Sequence, residues 1–415
     1  MEIKKSIPEL EESIRVLREE IDKEESKEEK AKLFIELGNN YLLLSERDDP
    51  RNNLTNALIA FDEAEKLSES EFVEDNVEYM KGFLFFKLAF IEDRNYNLTK
   101  SIEHYKNALR FRTKEKNPYK YASLRYNLGN AYLSLRDGNE KENILRAIDE
   151  FNEAYEIRKE QKNSLEFGVI SNALGLSYLM LSEITNDPKE AVSYLINALS
   201  YFSDAGEVFV KDKYPIDYAM IHNNLGVCFT RLAFLGKDKE KNFKEGIKHY
   251  KKSLEVYTEN DFPDDYGTTM YNIGLAYHNL SKIAPMPLKA EHLKNAEEHL
   301  KASANTFTGA DRTDFYSRAN YNLGVVYKEL AEIYKKNEFF EKELETFKNA
   351  LEGFDEEKTP FAYATAHFYI AQAFYALGKK EKALSHYKEA ERVAEKFDKK
   401  LASDLENIIR QIEAL

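Results

Sequence analysis

The residues of this 415-residue chain best suited to nucleophilic, acid–base or metal chemistry are one cysteine and eight histidines, and their spacing keeps them apart. No His-x-x-x-His or Cys-x-x-Cys pair sets two metal ligands side by side, and the 16 glycines are scattered, not gathered into a phosphate-cradling loop. Cys228 follows Gly226 by two residues in an apolar stretch, where a thiol packs as a small hydrophobe, and a single cysteine makes no intrachain disulfide. The acid runs Glu19 to Glu29 and Asp355 to Lys358 read as solvated helix or turn surface. Asn53-Leu-Thr and Asn97-Leu-Thr match glycosylation acceptors. The first residues, Met1 to Pro8, have no apolar signal segment, so both sites are expected to go unused. These residues predict no enzyme, no metal site and no cofactor. What the chain holds in quantity is recognition chemistry: 27 Tyr and 26 Phe, with no Trp.

Bulk properties narrow the class. The chain is 43% hydrophobic and 32% charged, and 16 Gly and 9 Pro are few breakers for its length, which favours helix. No apolar run is expected to approach the ~18 residues of a membrane span. The longest, around Gly82 to Ile91, is interrupted by Lys87. A soluble, cytoplasmic chain is therefore expected. The formal charge of −14 argues against nucleic acid or an acidic membrane as partner, because both reward a positive face that releases counterions.

The elements that position the aromatic residues come from a long repeat. Tyr126-Asn-Leu-Gly129-Asn-Ala-Tyr132 recurs in weaker forms centred on Gly38, Gly82, Gly129, Gly175, Gly226, Gly274 and Gly324, with Ala371 in the eighth place. The steps are 44, 47, 46, 51, 48, 50 and 47 residues. Three residues after each centre stands an aromatic (Tyr41, Phe85, Tyr132, Tyr178, Phe229, Tyr277, Tyr327, Phe374), and six after it a Leu. Offsets −8, −5, −1, +3 and +6 share one stripe of a 3.6-residue helix, so each centre sits in a first helix with a packed face. Lys81 is the polar exception at −1. Pro118, Pro215, Pro263 and Pro360 mark the starts of four such helices, where a missing N–H is harmless. The repeat glycine is expected to let a neighbouring helix approach. A second helix follows, with a small residue four before a large one: Ala57/Phe61, Ala147/Phe151, Ala191/Leu195, Gly246/Tyr250, Ala296/Leu300 and Ala383/Tyr387.

This pattern resembles the tetratricopeptide repeat, whose signature W-x2-L-G-x2-Y, then A-x3-F and P, recurs at about 34 residues. The likeness covers about residues 30 to 398. Two departures stand out. The Trp is replaced by Arg125, Ser171, His222, Met270, Asn320 or His367, so the helix contact there must differ, and the period is longer, as in arrays found beside caspase-like protease domains and in signalling proteins. The resemblance implies an all-α fold, a TPR-type α-solenoid (superhelix) of eight helix-turn-helix repeats over 30–398. A leading helix within 1–29, with Ile7, Leu10, Ile14, Leu17 and Ile21 on one face, precedes it. A capping helix over 399–415, with Leu401, Leu405, Ile408, Ile412 and Leu415, follows.

The face of the first helices opposite the packed stripe should be the most charged, and it is not. Offsets −6, −3, −2, +1, +4 and +5 give 48 positions holding Lys32, Lys87, Arg231, Arg318 and Lys328 against Glu36 and Glu329, a sum of +3 in a chain of −14. Tyr79, Tyr126, Tyr271, Tyr321 and Phe368 stand at −3, and Asn127, Asn224, Asn272 and Asn322 at −2. In the family this face lines a peptide-binding concave groove, so these residues, with Arg231 and Arg318, are the candidate partner-binding set. Packing of the face against itself is the alternative. The family's carboxylate clamp is matched by Asn39 and Asn127 but not by its Lys and Arg, so chaperone C-termini are not expected as ligands. The expected function is a non-catalytic scaffold or adaptor that binds an extended peptide segment or partner protein, as a monomer with a homodimer left open. The alternative is a peptide- or signal-sensing regulatory subunit that changes superhelix shape and controls another chain.

Overall fold

The computed structural model describes residues 5–136, 138–309 and 312–414, so the expectations touching residues 1–4 and Leu415 lie outside the described residues. Among the described residues there are eighteen α-helices and no strand. They fall into two compact units, Met1–Val208 and Phe209–Leu415. The first holds α1 (Ile7–Lys23), α2 (Lys27–Leu44), α3 (Pro50–Leu67), α4 (Glu71–Leu88), α5 (Arg94–Ala108), α6 (Pro118–Ser134), α7 (Glu140–Arg158), α8 (Leu165–Ile184) and α9 (Pro188–Val208). The second holds α10 (Pro215–Phe234), α11 (Lys239–Ser253), α12 (Pro263–Ile283), α13 (Met286–Thr306), α14 (Thr313–Tyr334), α15 (Asn337–Ala350), α16 (Pro360–Ala376), α17 (Lys380–Ala394) and α18 (Lys399–Ala414). From α2 onward each even-numbered helix is a first helix paired with the next as its second. The exception is α18, which packs on α17.

The repeat glycine works as a seat for a ring. A Cβ at Gly38, Gly82, Gly129, Gly175, Gly226 or Gly324 would lie 2.5–2.8 Å from the aromatic ring of Phe61, Tyr105, Phe151, Phe202, Tyr250 or Phe347, and at Gly274 it would meet Leu300 at 2.6 Å. One assignment needs correction. The partner of Gly175 is Phe202, so the small–large pair of that repeat is Ala198/Phe202 and not Ala191/Leu195. The two pairs lie two helical turns apart on one face of the long α9, which makes them equivalent by periodicity alone.

Where the tetratricopeptide signature has Trp, this chain closes the helix pair with polar partners. Glu78 meets His104 (2.7 Å), Arg125 meets Glu150 (2.6 Å), His222 meets His249 (Nδ1 to Nδ1, 2.9 Å) and His367 meets His386 (3.0 Å), each across one first–second helix interface. Burial, together with the facing imidazole, holds His222 and His367 at about 4, well below the ordinary histidine value. Each histidine pair thus shares one Nδ1 proton near neutrality. Lys81 replaces an apolar −1 residue by burying its stem and reaching Asp62 (2.7 Å) and Glu65 (2.6 Å) of α3.

The turns between first and second helices are set locally. Asp49, Asp93 and Asp238 adopt left-handed φ of 31°, 40° and 34° just before α3, α5 and α11. Four residues on, buried Asn53, Asn97 and Asn242 donate to the carbonyls of Asp48, Glu92 and Lys237 at 2.7–2.8 Å. The two acceptor-like asparagines are therefore turn staples with their amides inside the fold.

Two further expectations are corrected. By length and composition α8 is apolar enough to cross a membrane, and 61% of its apolar window is buried inside the fold. The Gly82-centred run is therefore not the most apolar segment. Both helix neighbours, α7 and α9, lie against α8, which is why so little of its surface needs to be polar. In α18 the buried stripe is Ala402, Leu405, Ile409 and Ile412, while Leu401 and Ile408 are only partly buried. The small Ala402 lets the helix settle about one residue rotated from the stripe of larger side chains. In α1 the buried residues are Leu10, Ile14, Leu17 and Ile21, as the spacing predicts.

Candidate functional site

The candidate residues lie on the first helices of both units, partly exposed except for Arg318, which is exposed. In the first unit the aromatic at −3 leans on the ring that fills its own repeat's glycine seat. Tyr79 lies 6.0 Å from Tyr105 and Tyr126 lies 5.7 Å from Phe151. The Asn at −2 then ties adjacent repeats, because Asn127 Nδ2 donates to the Tyr79 hydroxyl at 3.0 Å. Arg112, paired with Asp75, covers the Tyr79 ring at 3.8 Å.

The second unit repeats the device. Asn322 Nδ2 donates to the Tyr271 hydroxyl at 3.0 Å, and the exposed Arg318 guanidinium stands 5.7 Å over the Tyr271 ring. Tyr321 sits among Phe347, Phe354 and Tyr369 at 5.5, 5.9 and 6.2 Å, and burial together with Tyr369 pushes its phenol up to about 12. Phe368 packs edge-on against Tyr387 at 6.0 Å. Asn224, Arg231 and Asn272 share this face on α10 and α12. The structure thus gives the −3 aromatics and two of the −2 asparagines an internal role as well as an accessible edge.

Charge on the face is also resolved. Burial would raise Glu329, but its hydrogen bond from His278 (2.7 Å) and its pairing with Lys289 (3.1 Å) bring it down to about 2. One of the two acids on the face is therefore ionised and already neutralised. Lys328 projects over the Tyr369 ring at 5.3 Å.

Four amide atoms on the same offsets are buried without a hydrogen-bond partner: Asn39 Oδ1 and Asn172 Oδ1 in the first unit, Asn224 Nδ2 and Gln372 Oε1 in the second. The Tyr/Asn pattern missed Asn172 and Gln372, which stand at −3 and +1. Their signal was an amide on the least polar face of two strongly apolar helices. No three His, Cys, Asp or Glu side chains converge as metal ligands among the described residues.

With this geometry in view, comparison with known proteins bears on the fold. Residues 325–396, from the middle of α14 to just past α17, match the tetratricopeptide repeat family model. The fold is that of tetratricopeptide solenoids. It is shared with a signal transduction ATPase with numerous domains (STAND) protein with a tetratricopeptide repeat sensor from Pyrococcus horikoshii, at TM-score 0.54 and 15% identity over 93% of this chain. The likeness covers 55% of that protein, so this chain spans about half its length. It is shared also with the apo form of RapI, at TM-score 0.50 and 16% identity, covering 91% of this chain and 98% of that one. At these identities the likeness is one of fold. No curated protein matches the sequence.

Proposed function

We propose that the chain is a non-catalytic binding scaffold whose first helices receive an extended segment of a partner protein. The observation that carries this reading is the set of partly exposed amides and tyrosines, Asn39, Tyr126 and Asn172 in the first unit and Asn224, Tyr271 and Gln372 in the second, on first-helix faces nearly free of acid. An extended backbone brings alternating N–H and C=O groups, which pair with side-chain amides on such a face. Tyrosine edges next to them supply apolar contact at low entropic cost. A cytoplasmic monomer fits the composition.

A sensing role is the second reading. The STAND protein of similar fold carries its tetratricopeptide repeats as a sensor, and the long period suits arrays that sit beside enzyme domains. In that reading the bound segment changes how the repeats pack and a further chain responds.

The test is a partner capture from native lysate by the wild-type chain and by an Asn172→Ala/Asn224→Ala/Gln372→Ala variant. The partner should be lost from the variant while its melting temperature stays within about 1 °C or rises, since only unpaired amides are removed. Equal recovery of the partner by both proteins would refute the assignment.

A further inference from the structure

On the other side of the second unit, the groove between second helices α11 and α13 differs from the rest of the chain in charge. Helix α11 carries six lysines against two glutamates, a sum of +4 in a protein of −14. Lys244, Lys248 and Lys251 recur at steps of four and three, so they stand in one row along the groove. The groove encloses about 480 Å³, within the range of ligand pockets. Its floor is apolar, made by Ile247 of α11 with Tyr277 and Leu280 of α12. The opposite wall offers Asn295, the single carboxylate Glu291 and His292, whose Nδ1 is buried without a hydrogen-bond partner.

The lysines are only weakly engaged. Lys244 and Lys248 pair with Glu240 (2.6 Å) and Glu245 (3.1 Å) on their own exposed helix, contacts of small worth in water. Lys251 reaches the Tyr277 hydroxyl at 3.2 Å with no carboxylate. Counted from the ring in the glycine seat, Tyr250 in α11 and Phe61 in α3, the corresponding positions of α3 are Thr55, Ile59 and Asp62, so lysine is not a general property of this face. We propose that the α11–α13 groove is a second docking surface, separate from the first-helix face, for an acidic peptide segment with an apolar residue flanked by carboxylates. The carboxylates pair with the lysine row while the apolar side chain covers Ile247, Leu280 and the Tyr277 ring. The charge complementarity sets the choice, because a basic segment would meet a row of three lysines whose carboxylate partners are only Glu240 and Glu245 of their own helix.

The experiment is a selection of a random twelve-residue phage-displayed peptide library on the full chain and on its Lys244→Glu/Lys248→Glu/Lys251→Glu variant. All three residues are exposed, and matching circular dichroism of the two proteins checks that the fold is kept. The wild type should enrich peptides with Asp or Glu around Leu, Phe or Tyr. The best of them, made synthetically, should bind the variant at least tenfold more weakly, and should also weaken at least tenfold when its apolar residue becomes Ser. A first-helix Asn224→Ala change should leave its affinity unaltered, which separates this surface from the one proposed above. Three results would overturn the proposal: enriched peptides indifferent to the lysines, acidic peptides whose apolar residue is dispensable and which a dT20 oligonucleotide displaces, or concentration-dependent self-association abolished by the variant, which would make a second copy the occupant.

Discussion

Glu343 of α15 is 1% exposed, and neither carboxylate oxygen has a hydrogen-bond partner. It stands four residues before Phe347, where Ala57, Ala147, Gly246 and Ala296 stand in other repeats. Burial pushes its carboxyl up to about 8, so the folded chain holds a proton there that the unfolded chain releases above its ordinary acid range. Stability from this residue is whole below about pH 4 and is lost as pH rises to the folded value, with the loss on the order of a few kcal/mol. Glu343→Gln should therefore raise the melting temperature little at pH 5 and progressively more up to pH 8.5. Parallel wild-type and variant profiles would contradict this. The tyrosines separate in the same way. Tyr271→Phe removes only the acceptor of Asn322 and should cost about 1 kcal/mol in denaturant unfolding. Tyr321→Ala empties a site among three rings and should cost roughly 3 kcal/mol. Similar losses for the two would mean that Tyr321 does not carry the packing described.

At the scale of the helix pair, the ring over the repeat glycine holds the two helices at close approach. Gly129→Ala places a Cβ 2.5 Å from the Phe151 ring, whose rigid edge is fixed by Tyr126. Overpacking of about 1–3 kcal/mol should outweigh the gain of ~1 kcal/mol in helix propensity. The variant should unfold at lower denaturant, and a stabilised variant would show that the seat is loose. Helix boundaries at Pro118, Pro215, Pro263 and Pro360 and the +3 aromatics were legible because they depend on local backbone chemistry and a 3.6-residue period. The register in α9 was not, since Ala191/Leu195 and Ala198/Phe202 satisfy the same spacing and only the position of Gly175 chooses between them. The polar pairs at the Trp position were half legible: His222 and His367 share an offset, but their partners His249 and His386 lie at different distances along the chain, 27 and 19 residues on. On the candidate site, the Tyr and Asn rows could be read. That Asn127 and Asn322 spend a donor on the neighbouring tyrosine depends on how successive first helices meet, which no single helix encodes.

At the scale of the molecule, each repeat is stabilised by its neighbours. Helix α18 buries Leu405, Ile409 and Ile412 in the cluster that holds Phe374, Tyr387 and Ala390. Deleting residues 399–415 should raise hydrogen exchange in α16 and α17 and lower solubility, with exchange in α2–α7 unchanged. Unaltered protection of α17 would show that α18 does not stabilise it. The central claim is that the first-helix face receives an extended partner segment, and site-directed photo-cross-linking tests it most directly. Benzoylphenylalanine is placed at Asn272 on α12 and, as a control, at the exposed Ile196 on α9, and adducts formed in native lysate are mapped by mass spectrometry. The account predicts one recurrent partner peptide attached at position 272 and none at 196. Adducts absent at 272, or equal at both positions, would contradict it.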